Sequence, residues 1–421
     1  MKAKDYYLSG LSHYNLNTPS KNTMLAIDKF ETAANLGYAD AHYFLGRFYG
    51  LGDGVSLDPI KALEHYKQGD ALGSHKCGYA IGLSYYSGQG VEKDANQATH
   101  YFKKHYDMLL LEATNQDAVS MFMIGTYYYY GFFVQRYIFK ATEWFHQASE
   151  LGYSDAQYMM GMIYETITHE KDKDVEKAKS YYEKAAQQDH PYALYALGVI
   201  ALEEKKWPMA TLYLEKAARQ QYALAAYTLG MYYHDKEPQK PLKAYEWFLV
   251  AAKQNHPQAC YYTGLYHHNG KGVKKDIGMA VFWYEKAAYQ KEKNALYHLA
   301  LILIKQEKKS MKDIFKLLYE AANLDHYQAQ YNLAVMFQKG DGVKVNLEEA
   351  FKWYEKAAEA GIAMAQYNLG MLYYQGESVE KNEGKAKYWW QKAADQGLEV
   401  AVKLMLSINN YEKLQKSPWQ S

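Results

Sequence analysis

The adjacent histidines His267 and His268 lead directly into Gly270-Lys271-Gly272, and no other run of the sequence looks so much like a reactive site. A glycine-rich loop can cradle a phosphate on its backbone N–H groups, with a lysine to neutralise the charge. Histidines can ligate a metal or move protons. His234 and His268 each fall four residues after a glycine, Gly230 and Gly264, and His267, Cys260 and His298 stand nearby in the same scheme.

Context argues against both chemistries. A phosphate loop follows a strand, and here the flanking residues have helical spacing. The chain contains no GxxxxGK[ST], no HExxH, no CxxC and no GxSxG. Zinc sites need three or four ligands in defined geometry, so the histidines read as polar groove residues, and no metal or cofactor is expected. His13, His42, His65 and His326 are scattered and read as structural or exposed. Cys77 and Cys260 fall near small packing positions and read as buried thiols. Glu203 and Glu204 sit in a charged loop with no acid–base partner. "HEKDKDVEKAK" from His169 and "IKQEKKSMKD" from Ile304 read as solvated loops and helix starts. The expectation is a protein that is not an enzyme.

The glycine loop recurs, and that explains it. "YGLGDGV" begins at Tyr49, "YYSGQGV" at Tyr85, "FQKGDGV" at Phe337 and "YYQGESV" at Tyr373. A small residue precedes each loop in mid-helix, at Gly10, Gly46, Gly82, Gly125, Gly161, Gly198, Gly230, Gly264, Ala300, Ala334 and Gly370. These anchors lie roughly 32–37 residues apart, with one wider gap of about 43, a period typical of helical solenoids. About eleven units follow. Each has a helix A around the anchor and a helix B after the loop, as in "EEAFKWYEKAAEAG" from Glu348. A recurrent glycine in mid-helix implies close helix approach, because it otherwise costs about 1 kcal/mol against alanine. The loop glycines allow positive φ, the following valine tucks back, and an Asp or Asn caps helix B.

The chain is 421 residues long, nearly half apolar, with 45 tyrosines and a net charge of +1. That gives no basic field for nucleic acid. No apolar run is long enough to span a bilayer, and the start lacks the apolar core of a signal peptide. Two unpaired cysteines suit a reducing compartment, so a cytoplasmic, monomeric protein without membrane insertion is the expectation.

The string A-x-x-x-L-G-x-x-Y, then G-x-G-V, then A-x-x-W-Y-x-K-A-A resembles the Sel-one-like repeat family, a relative of the tetratricopeptide repeat. "AQYNLGMLYYQG" from Ala365, "ACYYTGLYHHNGKGV" from Ala259 and "AVFWYEKAA" from Ala280 carry the likeness. Three stretches depart from it: the short-looped unit from Ala193, the unit around Ala300, and "YYGFFVQRY" from Tyr129, which lacks the second loop glycine. The resemblance implies an all-α fold, an alpha–alpha superhelix forming a right-handed solenoid over residues 1–397, with a capping helix and tail over 398–421. It also implies a scaffold or adaptor that binds a partner protein or peptide. The alternative is an immunity or inhibitor protein that neutralises a dedicated bacterial toxin or effector enzyme.

Three residues before the anchor, every unit carries an aromatic, among them Tyr79, Tyr158, Tyr195, Tyr227 and Tyr261. Four residues after it come Tyr14, Tyr86, Tyr129, His234, His268 and Tyr374. Positions seven apart share one stripe, expected to face away from helix B. By analogy with tetratricopeptide folds that stripe lines a concave, Tyr-lined groove for a partner. The competing reading has the minus-three aromatics packing between neighbouring units. The segment Lys103–Asp117, with Met108 to Leu111 in a row, either extends helix B over a joint or forms an exposed partner patch.

Overall fold

The computed structural model describes residues 2–14, 22–166, 174–306 and 310–416. Parts of the two charged runs from His169 and Ile304, and the tail beyond Lys416, lie outside the described residues. Among the described residues there are 23 α-helices and no strand.

Two compact units divide the chain at Leu229–Gly230. The first holds α1 (Ala3–Tyr14), α2 (Thr23–Asn35), α3 (Ala39–Leu51), α4 (Pro59–Ala71), α5 (His75–Ser87), α6 (Ala95–Thr114), α7 (Ala118–Tyr130), α8 (Ile138–Glu150), α9 (Ser154–Thr166), α10 (Val175–Gln187), α11 (Pro191–Glu203) and α12 (Trp207–Arg219). Helix α13 (Ala223–Asp235) carries the division. The second holds α14 (Pro241–Lys253), α15 (Pro257–Asn269), α16 (Ile277–Tyr289), α17 (Lys293–Gln306), α18 (Met311–Asn323), α19 (Tyr327–Lys339), α20 (Leu347–Glu359), α21 (Ala363–Gln375), α22 (Glu383–Asp395) and α23 (Glu399–Lys416). Odd-numbered helices from α1 to α21 are the A helices and even-numbered ones the B helices. Within each unit an A helix packs on its own B helix, and that B helix on the next A helix.

The anchor glycine makes the pair possible. A Cβ on Gly46 would lie 2.2 Å from the ring of Tyr66, and one on Gly82 would lie 2.6 Å from Phe102. The same holds at Gly125 with Phe145 and at Gly264 with Tyr284. Each of these rings comes from helix B, so an aromatic of B presses flat on the backbone of A. Close packing of this kind leaves no room for a methyl group.

Loop chemistry follows the sequence. Asp58, Asp94, Asp276, Asn346 and Asn382 each cap the B helix three residues after the loop valine. Gly270 ends α15 in the left-handed region, at φ 69°, and Gly272 is also positive, at φ 73°. The run that resembles a phosphate loop is therefore the A-to-B connector. Lys271 lies over the Tyr266 ring, 5.6 Å from its centroid. Where the second glycine is missing, Phe133 takes the left-handed conformation itself, at φ 62°.

Helix α6 runs on to Thr114, so the irregular segment extends helix B. Leu109 and Ala113 are buried while Met108 and Leu111 face solvent. Both cysteines are buried and unpaired. Burial pushes the Cys260 thiol up to about 11.

Candidate partner-binding cavity

Helices α3, α5 and α9 carry a charged residue in their first turns, and in the first unit these meet other charges. Lys76, in the first turn of α5, is almost fully buried yet fully engaged: Asp40 lies 2.9 Å away, Glu112 3.2 Å and Asp117 3.5 Å. Burial opposes its charge, but the three carboxylates outweigh that and raise the ammonium well above its ordinary value. Asp40 also accepts from the Ser74 hydroxyl, and Glu112 from the Ser120 hydroxyl. This network ties α3, α5, α6 and α7 together at one end.

Beside it, Arg47 of α3 reaches across to the start of α9. Its Nη1 lies 2.9 Å from Asp155 Oδ2 and donates to the Tyr153 hydroxyl at 3.0 Å and the Tyr43 hydroxyl at 3.3 Å. His190 Nε2, from the residue that caps α11, sits 3.2 Å from the other Asp155 oxygen. Burial would push the Asp155 carboxyl up, but the Arg47 guanidinium and His190 hold it well below the usual carboxylate range.

These residues form part of the wall of a cavity of about 270 Å³ that lies wholly in the first unit. One side comes from α1 and α3, with Tyr7, Tyr14, Phe44 and Leu51. The other comes from three successive B-to-A turns, which contribute Tyr153, Asp155, Asp189, His190, Tyr192 and Tyr222. Tyr192 and Tyr222 meet edge to face with centroids 5.0 Å apart. The lining holds four carboxylates, Asp53, Asp117, Asp155 and Asp189, against the single guanidinium of Arg47.

Two stripe tyrosines of the first repeat, Tyr7 and Tyr14, line this cavity, and the other tyrosines and histidines named for the stripe do not. Tyr86 and Tyr374 are exposed, at 55% and 47%, while Tyr129, His234 and His268 are half-buried. Tyr79 is buried, and its hydroxyl lies 2.5 Å from the Thr126 hydroxyl, so it packs and cannot reach solvent. Tyr158, Tyr195, Tyr227 and Tyr261 are half-buried. Tyr158 and Tyr261 rest on the B-helix rings of Tyr182 and Tyr284, with centroids 5.9 Å apart in both cases. The minus-three position is thus not turned away from helix B as expected. The ring it leans on is the one that occupies the anchor glycine.

In the second unit, His234 Nδ1 lies 2.7 Å from the Tyr266 hydroxyl, and His268 Nδ1 lies 3.4 Å from that of Tyr284. His267 Nε2 lies 3.1 Å from the Tyr245 hydroxyl. These histidines join aromatic stacks, and among the described residues no cluster of three His, Cys, Asp or Glu side chains is arranged to hold a metal ion.

Apart from Tyr7 and Tyr14, the cavity residues were missed in the sequence because they lie outside the stripe. Tyr153 and Tyr222 both stand eight residues before the anchor, in the turn, where the pattern predicts no role. Arg47 gave the one available signal: the chain has three arginines among its many lysines. A forked donor in a helix that otherwise packs needs carboxylate and hydroxyl acceptors.

The Sel1 repeat pattern matches residues 39–73, 78–107, 118–153, 154–190, 221–256, 257–292, 328–362 and 363–398. The pairs α11–α12 and α17–α18, two of the stretches that depart from the motif, fall between matched segments. Among solved structures, a protective antigen of uropathogenic Escherichia coli strains that displays an SLR fold is 26% identical. The match covers 98% of this chain and 88% of the antigen, with a TM-score of 0.62. A Sel1 repeat protein from Oxalobacter formigenes is 23% identical over 91% of this chain and 90% of its own, with a TM-score of 0.26. An immunity protein from Pseudomonas aeruginosa is 20% identical over 60% and 81%, with a TM-score of 0.29. No curated protein matches in sequence. Among the described residues no helix is long and apolar enough to cross a membrane. The repeated pattern, the helix pairs and the shared fold agree: the chain belongs to the Sel1 repeat family.

Proposed function

We propose that this chain is a non-enzymatic adaptor that holds a segment of a partner protein, with the cavity of the first unit as its principal site. Sel1 repeat proteins generally mediate protein–protein interactions. The observation that carries the reading here is that cavity: about 270 Å³, walled by aromatic rings and backed by buried, mutually engaged charges. Fixed polar groups behind aromatic walls suit recognition, because the charges orient a guest while rings supply contact area. The exposed plus-four residues Tyr86 and Tyr374, with half-buried Tyr129, His234 and His268, are secondary contacts in this reading. A groove of this kind serves a shared scaffold or a dedicated inhibitor equally well, and stoichiometry separates the two.

The test is affinity capture from native lysate with the intact chain, beside a Tyr192→Ala, Tyr222→Ala double variant and a Tyr86→Ala, Tyr129→Ala, His234→Ala, His268→Ala quadruple variant. Loss of the captured partner with the first variant supports the cavity. Loss with the second alone moves the site to the plus-four residues. One stoichiometric enzyme partner identifies an inhibitor, and several substoichiometric partners identify a scaffold. Undiminished capture by both variants overturns the reading of the A-helix face as the binding surface.

A further inference from the structure

We propose that the cavity of the first unit receives the cationic side chain of an arginine or lysine on an extended segment of the partner, which rests on the adaptor reading and specifies its ligand. The chain as a whole is close to neutral, with a net charge of +1, yet this lining is acidic. Arg47 Nη1 is engaged by Asp155, Tyr153 and Tyr43, and although its buried Nε has no hydrogen-bond partner among the described residues, its charge is already balanced by Asp155. Asp155 is held by Arg47 and His190, and Asp117 caps α7 and faces Lys76. Asp189 is different. Among the described residues its carboxylate has no hydrogen bond and no ion pair, and it lines the cavity beside His190 and Tyr192.

Helix dipoles do not reverse this sign. Each B-to-A turn brings the C-terminus of one helix next to the N-terminus of the following one, so their partial charges of about half a unit largely cancel. Asp117 and Asp155 sit in or beside the starts of α7 and α9 and take up what remains there. The uncommitted charge in the wall is therefore negative. Tyr14, Tyr192 and Tyr222 provide ring faces, which attract a guanidinium or ammonium within about 6 Å. Leu51 and Leu151, 46% and 51% exposed, stand in the same lining and suit the methylene stem of a long basic side chain. The volume of about 270 Å³ lies just under the roughly 300–1,000 Å³ of small-molecule sites, and fits one such side chain with its waters. The planar guanidinium is the better guest, because it stacks on a ring and forks to a carboxylate at once.

The probes are acetyl-arginine-amide, acetyl-lysine-amide, the isosteric neutral acetyl-citrulline-amide and the anionic acetyl-glutamate-amide, each titrated into the full chain and followed by saturation-transfer NMR. Arginine and lysine probes are expected to bind, with citrulline about tenfold weaker or worse, and with affinity falling between 50 and 300 mM salt. Asp189→Asn keeps a side chain that tolerates the left-handed backbone at φ 54° and should fold normally. It should weaken the arginine probe about tenfold, as should Tyr192→Ala. Equal binding of citrulline and arginine, preference for the glutamate probe, or indifference to Asp189→Asn overturns the proposal. Lysate capture tells its failure from that of the adaptor reading. A partner that survives Asp189→Asn but is lost with the Tyr192→Ala, Tyr222→Ala variant leaves the adaptor standing and removes the cationic guest.

Discussion

Arg47 and Asp155 form an ion pair at 2.9 Å between α3 and the first turn of α9, joining the second repeat to the fifth within one compact unit. Repeat proteins draw stability from nearest-neighbour interfaces. Here a contact beyond the nearest neighbour is added, and it closes one wall of the cavity.

Removing one member of that pair should therefore be felt. Both side chains are less than one-fifth exposed, at 18% and 19%. Arg47→Ala is expected to cost about 2–4 kcal/mol, because it strands the Asp155 carboxylate in a poorly solvated site. Arg47→Lys keeps the charge but not the fork to two tyrosine hydroxyls, and should cost less, about 1–2 kcal/mol. Urea denaturation of both variants checks this. A cost under 0.5 kcal/mol for Arg47→Ala would show that the pair contributes nothing.

Backbone conformation gives the second prediction. At Gly272 φ is positive and a Cβ would lie 2.5 Å from the Pro241 carbonyl carbon, so Gly272→Val should destabilise by more than about 1 kcal/mol. Lys271→Ala, in the same loop, should leave stability and nucleotide binding unchanged. Lys291 is the converse case, a non-glycine residue at φ 60° with an exposed side chain. Lys291→Gly should stabilise by about 0.5–1 kcal/mol. Thermal melting reads all three, and ATP binding lost on Lys271→Ala would overturn the connector reading.

Packing and surface should separate on α21. Leu369 is fully buried and Tyr374 is 47% exposed, five residues on. Leu369→Ala should cost about 2–5 kcal/mol through the cavity it leaves. Tyr374→Ala should cost under about 0.5 kcal/mol. Comparable losses in the two melts would contradict the burial pattern.

Histidine burial makes stability depend on pH. His326 caps α19, stacks on Tyr297 at 4.3 Å, and is lowered to about 4, chiefly by burial and then by His298. His65 and His105 are also lowered to about 4, again first by burial. The unfolded chain takes up these protons near pH 6.5, before the folded one does. Stability is thus full above about pH 6.5 and is lost progressively as pH falls toward 4. His326→Asn retains a capping oxygen and should flatten part of that fall. A melting temperature that stays constant from pH 7 to 4.5 would count against it.

What the sequence determined by itself is the repeat and its local rules. The spacing of Gly46, Gly82 and Gly264 specified mid-helix contacts too close for a methyl group, and the Asp and Asn caps marked each helix start, because capping and periodicity act over a few residues. Tertiary structure alone decided which partner each anchor meets, an aromatic of helix B at Gly46, Gly82 and Gly264 and Leu214 at Gly198. It also decided that Tyr79 is buried while Tyr86 is exposed, although both sit on one stripe, because burial depends on which neighbouring helix covers each ring. The cavity was beyond the sequence for the same reason. Arg47, Asp155, Asp189 and Tyr222 come from four repeats, and only the way the first unit's helix pairs stack brings them to one wall; no spacing along the chain encodes a contact made across three repeats.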